Sequence, residues 1–405
     1  VLAVPFIVAI VLLRGLTLQF PSCSSPDEQN YHYPVIIQFA LQFPHIDLSD
    51  YSSSTTPLFH LIMMGFGAFA GLTLYKLRLL NACISYAAII VLFRFLFLRM
   101  RFSRRDALLF SLLFLLSPYF FGSAFVLLTD NLGLLFCFLS LGALAAFQES
   151  GKTRYFFYAC ALIMCATLTR QLYVWLALVA AVYVFQTKAR ISRKLLLCAA
   201  LACVLAPLGF FIALWKGLVP PFVHAQYASV SLVNTRVLGF MAAVIGMYAL
   251  FFNPELITGF SRARFKNLFL AIVCAAVLLA FFPLAPLIWE NGFLWRLASF
   301  FPRFHGTSVL LWVLVPFGLY AVLYYARFYD TTRLPFFVLI SFLAVMAGNS
   351  LVYQKHFDVI ALFALILFAR NTQKRSLFEY ACLFFLLAGF VMYVFVRQNF
   401  APAMM

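Results

Sequence analysis

Residues 195–214 read Leu-Leu-Leu-Cys-Ala-Ala-Leu-Ala-Cys-Val-Leu-Ala-Pro-Leu-Gly-Phe-Phe-Ile-Ala-Leu, twenty positions without one charged or amide side chain. About 20 apolar residues suffice for a helix to cross the ~30 Å hydrocarbon core of a bilayer. The stretch is apolar on every face, as is Ala107 to Phe121, whereas a transmembrane β-barrel needs strands of ~10 residues alternating apolar and polar. A helix is the remaining way to satisfy the backbone inside lipid. Working outward, similar runs fall at 1–20, 58–74, 79–98, 107–121, 131–148, 155–168, 172–186, 195–214, 232–252, 268–283, 307–325, 335–352, 358–370 and 378–396. The 405 residues are 65% apolar and 10% charged, with a mean hydropathy of +1.01; a soluble domain carries roughly 25% charge. The expectation is an all-α, polytopic transmembrane bundle forming one integral membrane domain over 1–405, with 21–57 as its first outer loop.

Charge then orients the bundle. Lys and Arg number 29 against 12 acids, a formal +17, a balance that in a soluble protein would point to nucleic acid. If run 58–74 does not cross but lies as a re-entrant or juxtamembrane helix, about thirteen crossings result. Six connections then share one face: 99–106, 149–154, 188–194, 253–266, 327–333 and 370–375. They hold eighteen of the 29 basic residues, against nine on the opposite face. That bias marks the first face as cytoplasmic, and nucleic acid drops out as a partner. Val1–Phe20 contains Arg14 and shows no small-residue cleavage pattern before Pro21, so it reads as a retained first span. Eight of nine cysteines lie in apolar runs, with Cys23 in the polar loop, and no metal spacing or disulfide framework emerges. Walker, dinucleotide-binding and His-Glu-x-x-His signatures are absent.

This orientation gathers the chemistry-bearing residues on the non-cytoplasmic face. Pro26-Asp27-Glu28-Gln29-Asn30-Tyr31-His32-Tyr33-Pro34 follows the first run; its paired acids beside an amide and an imidazole suit a general base or a cation site, or a dipole-favoured helix start. Asp130 in Thr129-Asp130-Asn131 interrupts apolar sequence, a functional candidate at a membrane boundary or a helix cap. Arg170-Gln171 sits in a tight outer hairpin where an arginine either binds phosphate bidentately or snorkels to the interface. Trp215-Lys216-Gly217 leads through Pro220-Pro221 to His224, and Trp215 reads as an aromatic-belt residue. Tyr353-Gln354-Lys355-His356-Phe357-Asp358 brings a cation, an imidazole and a carboxylate to headgroup depth, as a phosphate-binding hairpin or a local Lys355–Asp358 ion pair.

In common order these pieces resemble the GT-C glycosyltransferases, and among them the dolichyl-phosphate-glucose α-1,2-glucosyltransferase family. The resemblance rests on Asp27-Glu28 with Tyr31-His32 and Pro34, Thr55-Thr56-Pro57, Leu77-Arg78 with Asn81, Thr129-Asp130, Arg170-Gln171 with Trp175, Trp215 with Gly217 and His224, and Gln354-Lys355-His356-Phe357. The sequence departs from that family in lacking a second Pro and a Gly after Thr-Thr-Pro and in carrying Lys355 where the family has Arg.

The resemblance implies transfer of a hexose from a polyprenyl or dolichyl phosphate donor to a lipid-linked oligosaccharide or other outer-face glycan acceptor. The membrane would be the endoplasmic reticulum in a eukaryote or the inner membrane in a bacterium, with membrane lipids as surroundings. It assigns catalysis to Asp27, Glu28 and Asp130, with Asp27 as the base, and substrate binding to His32, Arg170, Gln171, His224, Tyr353, Lys355 and His356. No cofactor is required; a divalent metal at Asp27 and Asp130 is compatible with the pattern. The competing class is a transporter or flippase of lipid-linked or small anionic substrates, which would favour charges near the bilayer midplane and inverted repeats with broken helices.

Overall fold

The computed structural model describes residues 2–7, 26–49, 51–223, 233–252, 256, 262–286, 292–326, 333–349, 352–369, 380–381, 384–385 and 388–389. The fold is helical throughout, apart from one two-residue strand pair among these residues. It separates into two compact units, one within Val1–Ala228 and one within Ser229–Phe390.

In the first unit a π-helical turn, Glu28–His32, runs into α1 (Tyr33–Gln42), with Pro34 in the first turn, where its missing N–H costs no helical bond. After the polar segment 43–57 comes α2 (Leu58–Ala70), ended by Gly71 at φ 95°. Its 13 residues rise only about 20 Å. α3 (Leu74–Arg94) continues as a π-helical turn to Arg99. α4 (Arg104–Leu115) starts on a reciprocal cap in which the Asp106 N–H donates to Ser103 Oγ and that hydroxyl donates to the Asp106 carboxylate. α5 (Pro118–Ala124) follows at a 73° bend, because Pro118 cannot continue the preceding hydrogen-bond ladder. α6 (Asp130–Ser150) stops at Gly151, which takes the left-handed conformation, and α7 (Thr153–Thr169) returns antiparallel against it. A 3₁₀ turn leads to α8 (Trp175–Gln186), and α9 (Ile191–Trp215) packs on α7 and α8.

The short helix α1 is amphipathic in two directions. Ile36 joins Phe59, Met63, Leu77, Leu127 and Leu132 in one buried cluster, while Val35 and Phe39 join Tyr51, Phe211 and Trp215 in another. The acid turn and α1 are therefore packed into the helices rather than draped over them.

The second unit contains α10 (Thr235–Phe252), α11 (Arg262–Phe281), α12 (Phe293–Ser299), α13 (Val309–Ala326), α14 (Arg333–Met346) and α15 (Gln354–Phe368). Between α12 and α13, β1 (Arg303–Phe304) pairs antiparallel with β2 (Thr307–Ser308); His305 and Gly306 both take positive φ in the two-residue turn, as such hairpins require. α15 is buried continuously from Phe357 to Phe368, consistent with its being apolar on all sides.

α10 and α13 cross at glycines. A Cβ on Gly318 would be driven into the Ala242 carbonyl, and one on Gly246 into the Leu314 carbonyl. Both obstacles are backbone, so neither can swing aside. Gly318→Ala should cost about 1–3 kcal/mol or more, seen as a lowered unfolding temperature in detergent, whereas Gly209→Ala on α9, with open space at its Cβ, should not lower it. Equal melting of the two variants would overturn the close-crossing account.

Among the described residues, four helices are long and apolar enough to cross a membrane: 74–99, α6, α9 and α13, or five if α4 and α5 form one broken span. Six further apolar helices have 10–17 residues. The apolar runs thus correspond to helices, several shorter than a full span, and the first and last runs lie mostly outside the described residues. The chain is an all-helical, polytopic integral membrane protein.

Candidate functional site

The acid turn is anchored from beneath. Glu28 is fully buried and Arg78, on α3, is 7% exposed. Arg78 Nε donates to Glu28 Oε1 at 2.9 Å and Nη2 donates to Oε2, a bidentate fork. Oε1 also accepts the Leu127 N–H at 2.7 Å. Asp27, one residue earlier, is half-buried.

The segment that meets Glu28 is itself braced. Asn81 Nδ2 donates to the carbonyls of Ser123 at 2.8 Å and Val126 at 2.6 Å, and Asn131 Nδ2 to Ser85 Oγ at 2.8 Å and the Phe120 carbonyl at 3.1 Å. These amides satisfy carbonyls that the break between α5 and α6 leaves without helical partners. Three residues beyond Leu127, Asp130 opens α6, where the helix dipole favours a carboxylate. Arg170, extended at the end of α7, forms an ion pair with it. The structure therefore brings Asp130 and Arg170 together, and ties Glu28 and Asp130 to one short segment.

Gln171 fastens two loop segments, its Nε2 donating to the carbonyls of Ser54 at 2.8 Å and Leu218 at 3.0 Å. Thr56 Oγ1 donates to the Thr167 carbonyl at 2.7 Å. The Tyr173 ring lies against Gly133, where any Cβ would collide with it, and its hydroxyl donates to the Asp130 carbonyl at 3.5 Å.

On the other side of the turn, His32 Nδ1 lies 2.9 Å from His60 Nε2, and His60 Nδ1 lies 2.7 Å from Tyr51 Oη. All three side chains are buried. Tyr51 stacks on Trp215 with ring planes 1° apart, and Trp215 Nε1 donates to the Leu48 carbonyl at 2.9 Å. Trp215 is 1% exposed; the belt position expected of it is corrected, because loop 43–57 covers the indole and supplies its acceptor.

Burial, and after it the neighbouring His32, holds His60 well below the ordinary 6.5. The unfolded chain then binds a proton that the folded one refuses, so the stability contributed here is complete above about pH 6.5 and declines as pH falls below it. The groups facing His60 are His32 and Tyr51. Unfolding temperature should drop between about pH 7.5 and 5, and His60→Gln should flatten that dependence; an unchanged slope would refute the assignment.

Lys355, Tyr353 and His356 belong to the second unit. Lys355 Nζ sits 5.9 Å from the Tyr353 ring centre, and the His356 ring meets Tyr353 edge-on at 5.6 Å. Asp358 is fully buried and accepts from Tyr248 Oη at 3.0 and 2.9 Å and from Gln354 Nε2 at 3.0 Å. His224 lies outside the described residues. Among the described residues no three His, Cys, Asp or Glu side chains group as metal ligands. Of the two carboxylates read as compatible with a divalent metal, Asp27 and Asp130, Asp130 is paired with Arg170.

Sequence reasoning passed over Tyr51 and gave His60 and Arg78 no partner. The signal for Arg78 was present: a guanidinium inside an apolar helix faces the interior and seeks a counter-charge. Tyr51 and His60 carried no such mark, since nothing local ties residue 51 or 60 to residue 32.

No family model and no curated protein matches the sequence. Among solved structures, the crystal structure of ArnT from Cupriavidus metallidurans in the apo state aligns over 96% of this chain and 78% of that chain, with 16% identity and a TM-score of 0.40.

Proposed function

We propose that this chain is a GT-C type glycosyltransferase that moves a hexose, glucose in the family it resembles, from a polyprenyl or dolichyl phosphate to a lipid-linked glycan on the non-cytoplasmic face. Asp27 is the base: it takes the acceptor hydroxyl's proton as that oxygen attacks the anomeric carbon. The bond from that carbon to the phosphate oxygen breaks, and the anomeric centre inverts. The leaving group is a phosphomonoester, stable without a general acid, so cationic donors suffice to receive it. Arg170 serves there, its guanidinium suited to bidentate contacts with phosphate oxygens. Gln171 and His32 contact substrate from the same unit, and Tyr353, Lys355 and His356 form an anion-binding group of the second unit in its own right.

The observation that carries this reading is the buried Glu28–Arg78 fork directly behind Asp27. A buried ion pair is a poor way to stabilise a fold, because desolvation offsets its attraction; its use here is to hold the acid turn in one place. Glu28 therefore acts by position, and Asp130 holds Arg170.

The test is purified protein in lipid, given a panel of polyprenyl-phosphate sugars with lipid-linked acceptors. Appearance of glycosylated acceptor, or hydrolysis of one donor, supports the proposal. Movement of intact lipid-linked sugar across the vesicle, with no bond broken, supports the transporter instead.

A further inference from the structure

Tyr51 is buried, and its Oη lies 2.7 Å from His60 Nδ1. A buried O–H left without an acceptor is costly, so the phenolic proton is donated to that nitrogen. A neutral imidazole that accepts at one nitrogen carries its proton on the other. His60 Nε2–H therefore donates to His32 Nδ1 across 2.9 Å, and His32 must carry its own proton on Nε2. The direction of every bond follows from the first, and burial of Tyr51, His60 and His32 shields the series from water that would scramble it.

We propose that Tyr51 and His60 are positioning residues that lock His32 into the Nε2–H tautomer, so that the acid turn presents a fixed N–H donor to an oxygen of the polyprenyl-phosphate sugar. This deepens the glycosyltransferase reading and rests on it for the identity of the oxygen. The π-helical turn matters because its wider winding swings His32 toward the side of the helix occupied by Asp27, five residues earlier, more than an α-helical turn would.

The decisive measurement is the histidine tautomer, read from ¹³C and ¹⁵N shifts of the full chain in lipid, with His32→Gln used to assign the signal. The native chain should show His32 as Nε2–H. Tyr51→Phe keeps the ring on Trp215 but removes the first donor, and should shift His32 toward a mixture of tautomers. His60→Gln retains an N–H facing His32 and should preserve Nε2–H, while His60→Leu should not. In the transfer assay, Tyr51→Phe and His60→Leu should raise the donor's KM about 10–100-fold, with His60→Gln near native. An unchanged His32 tautomer in Tyr51→Phe overturns the proposal, whatever the reaction. A tautomer that responds in a chain that transfers no sugar upholds the relay and sinks the glycosyltransferase reading.

Discussion

Glu28→Ala should lose about 3–5 kcal/mol, because it strands the buried Arg78 guanidinium without its counter-charge. Arg78 is 7% exposed and reaches Glu28 through two bonds, and the Leu127 N–H loses its acceptor as well. The total stability of a typical domain is only about 5–15 kcal/mol, so the variant should yield little folded protein and melt far below the native chain in detergent. Glu28→Met combined with Arg78→Met should recover much of that loss, since two apolar side chains leave no unpaired charge. A single variant as stable as the native chain would show the fork to be dispensable, and with it the explanation of why the acid turn is held still.

Asp27→Asn should lower glycosyl transfer by about 10²–10⁴-fold, the range for loss of a general base. The amide keeps the shape of the side chain and cannot take a proton. Asp27 is half-buried and the amide matches its size, so the melting temperature should fall far less than in Glu28→Ala. The contrast between neighbours is the informative result: Asp27→Asn is expected to fold and fail to turn over, Glu28→Ala to fail to fold. Near-normal transfer by Asp27→Asn would remove Asp27 from the mechanism, and the half-buried carboxylate would then be a helix-start charge as its place before Glu28–His32 also permits.

Much of the candidate site was legible in the sequence. Asp27, Glu28, Asp130 and Arg170 stood out because ionisable groups at a membrane are costly, and their cost makes them conspicuous against apolar sequence. Their pairing was not legible. Arg170 read as a phosphate ligand or a snorkelling side chain, and only the fold shows it reaching Asp130, 40 residues away in sequence. Arg78 and Glu28 are 50 residues apart. Trp215 illustrates the opposite error: an aromatic at a helix end has the composition of a lipid-facing belt, yet Tyr51 and Leu48 close over it. Helix existence was read well from the apolar runs, helix length less so, because a turn such as that at 117 cuts run 107–121 into two shorter helices.

The amino-acid sequence alone determined the class: hydrophobicity is summed along the chain, and 65% apolar residues in runs of 13 to 21 leave a helical membrane protein as the one solution for the backbone. It also concentrates basic residues in six of the connections, the pattern from which an orientation is read. Tertiary structure decided which charges face each other, which histidine nitrogen meets which partner, and where two helices touch at glycine. Those are properties of distances between residues far apart in the chain, set by packing to within an ångström or less, and no local pattern encodes them.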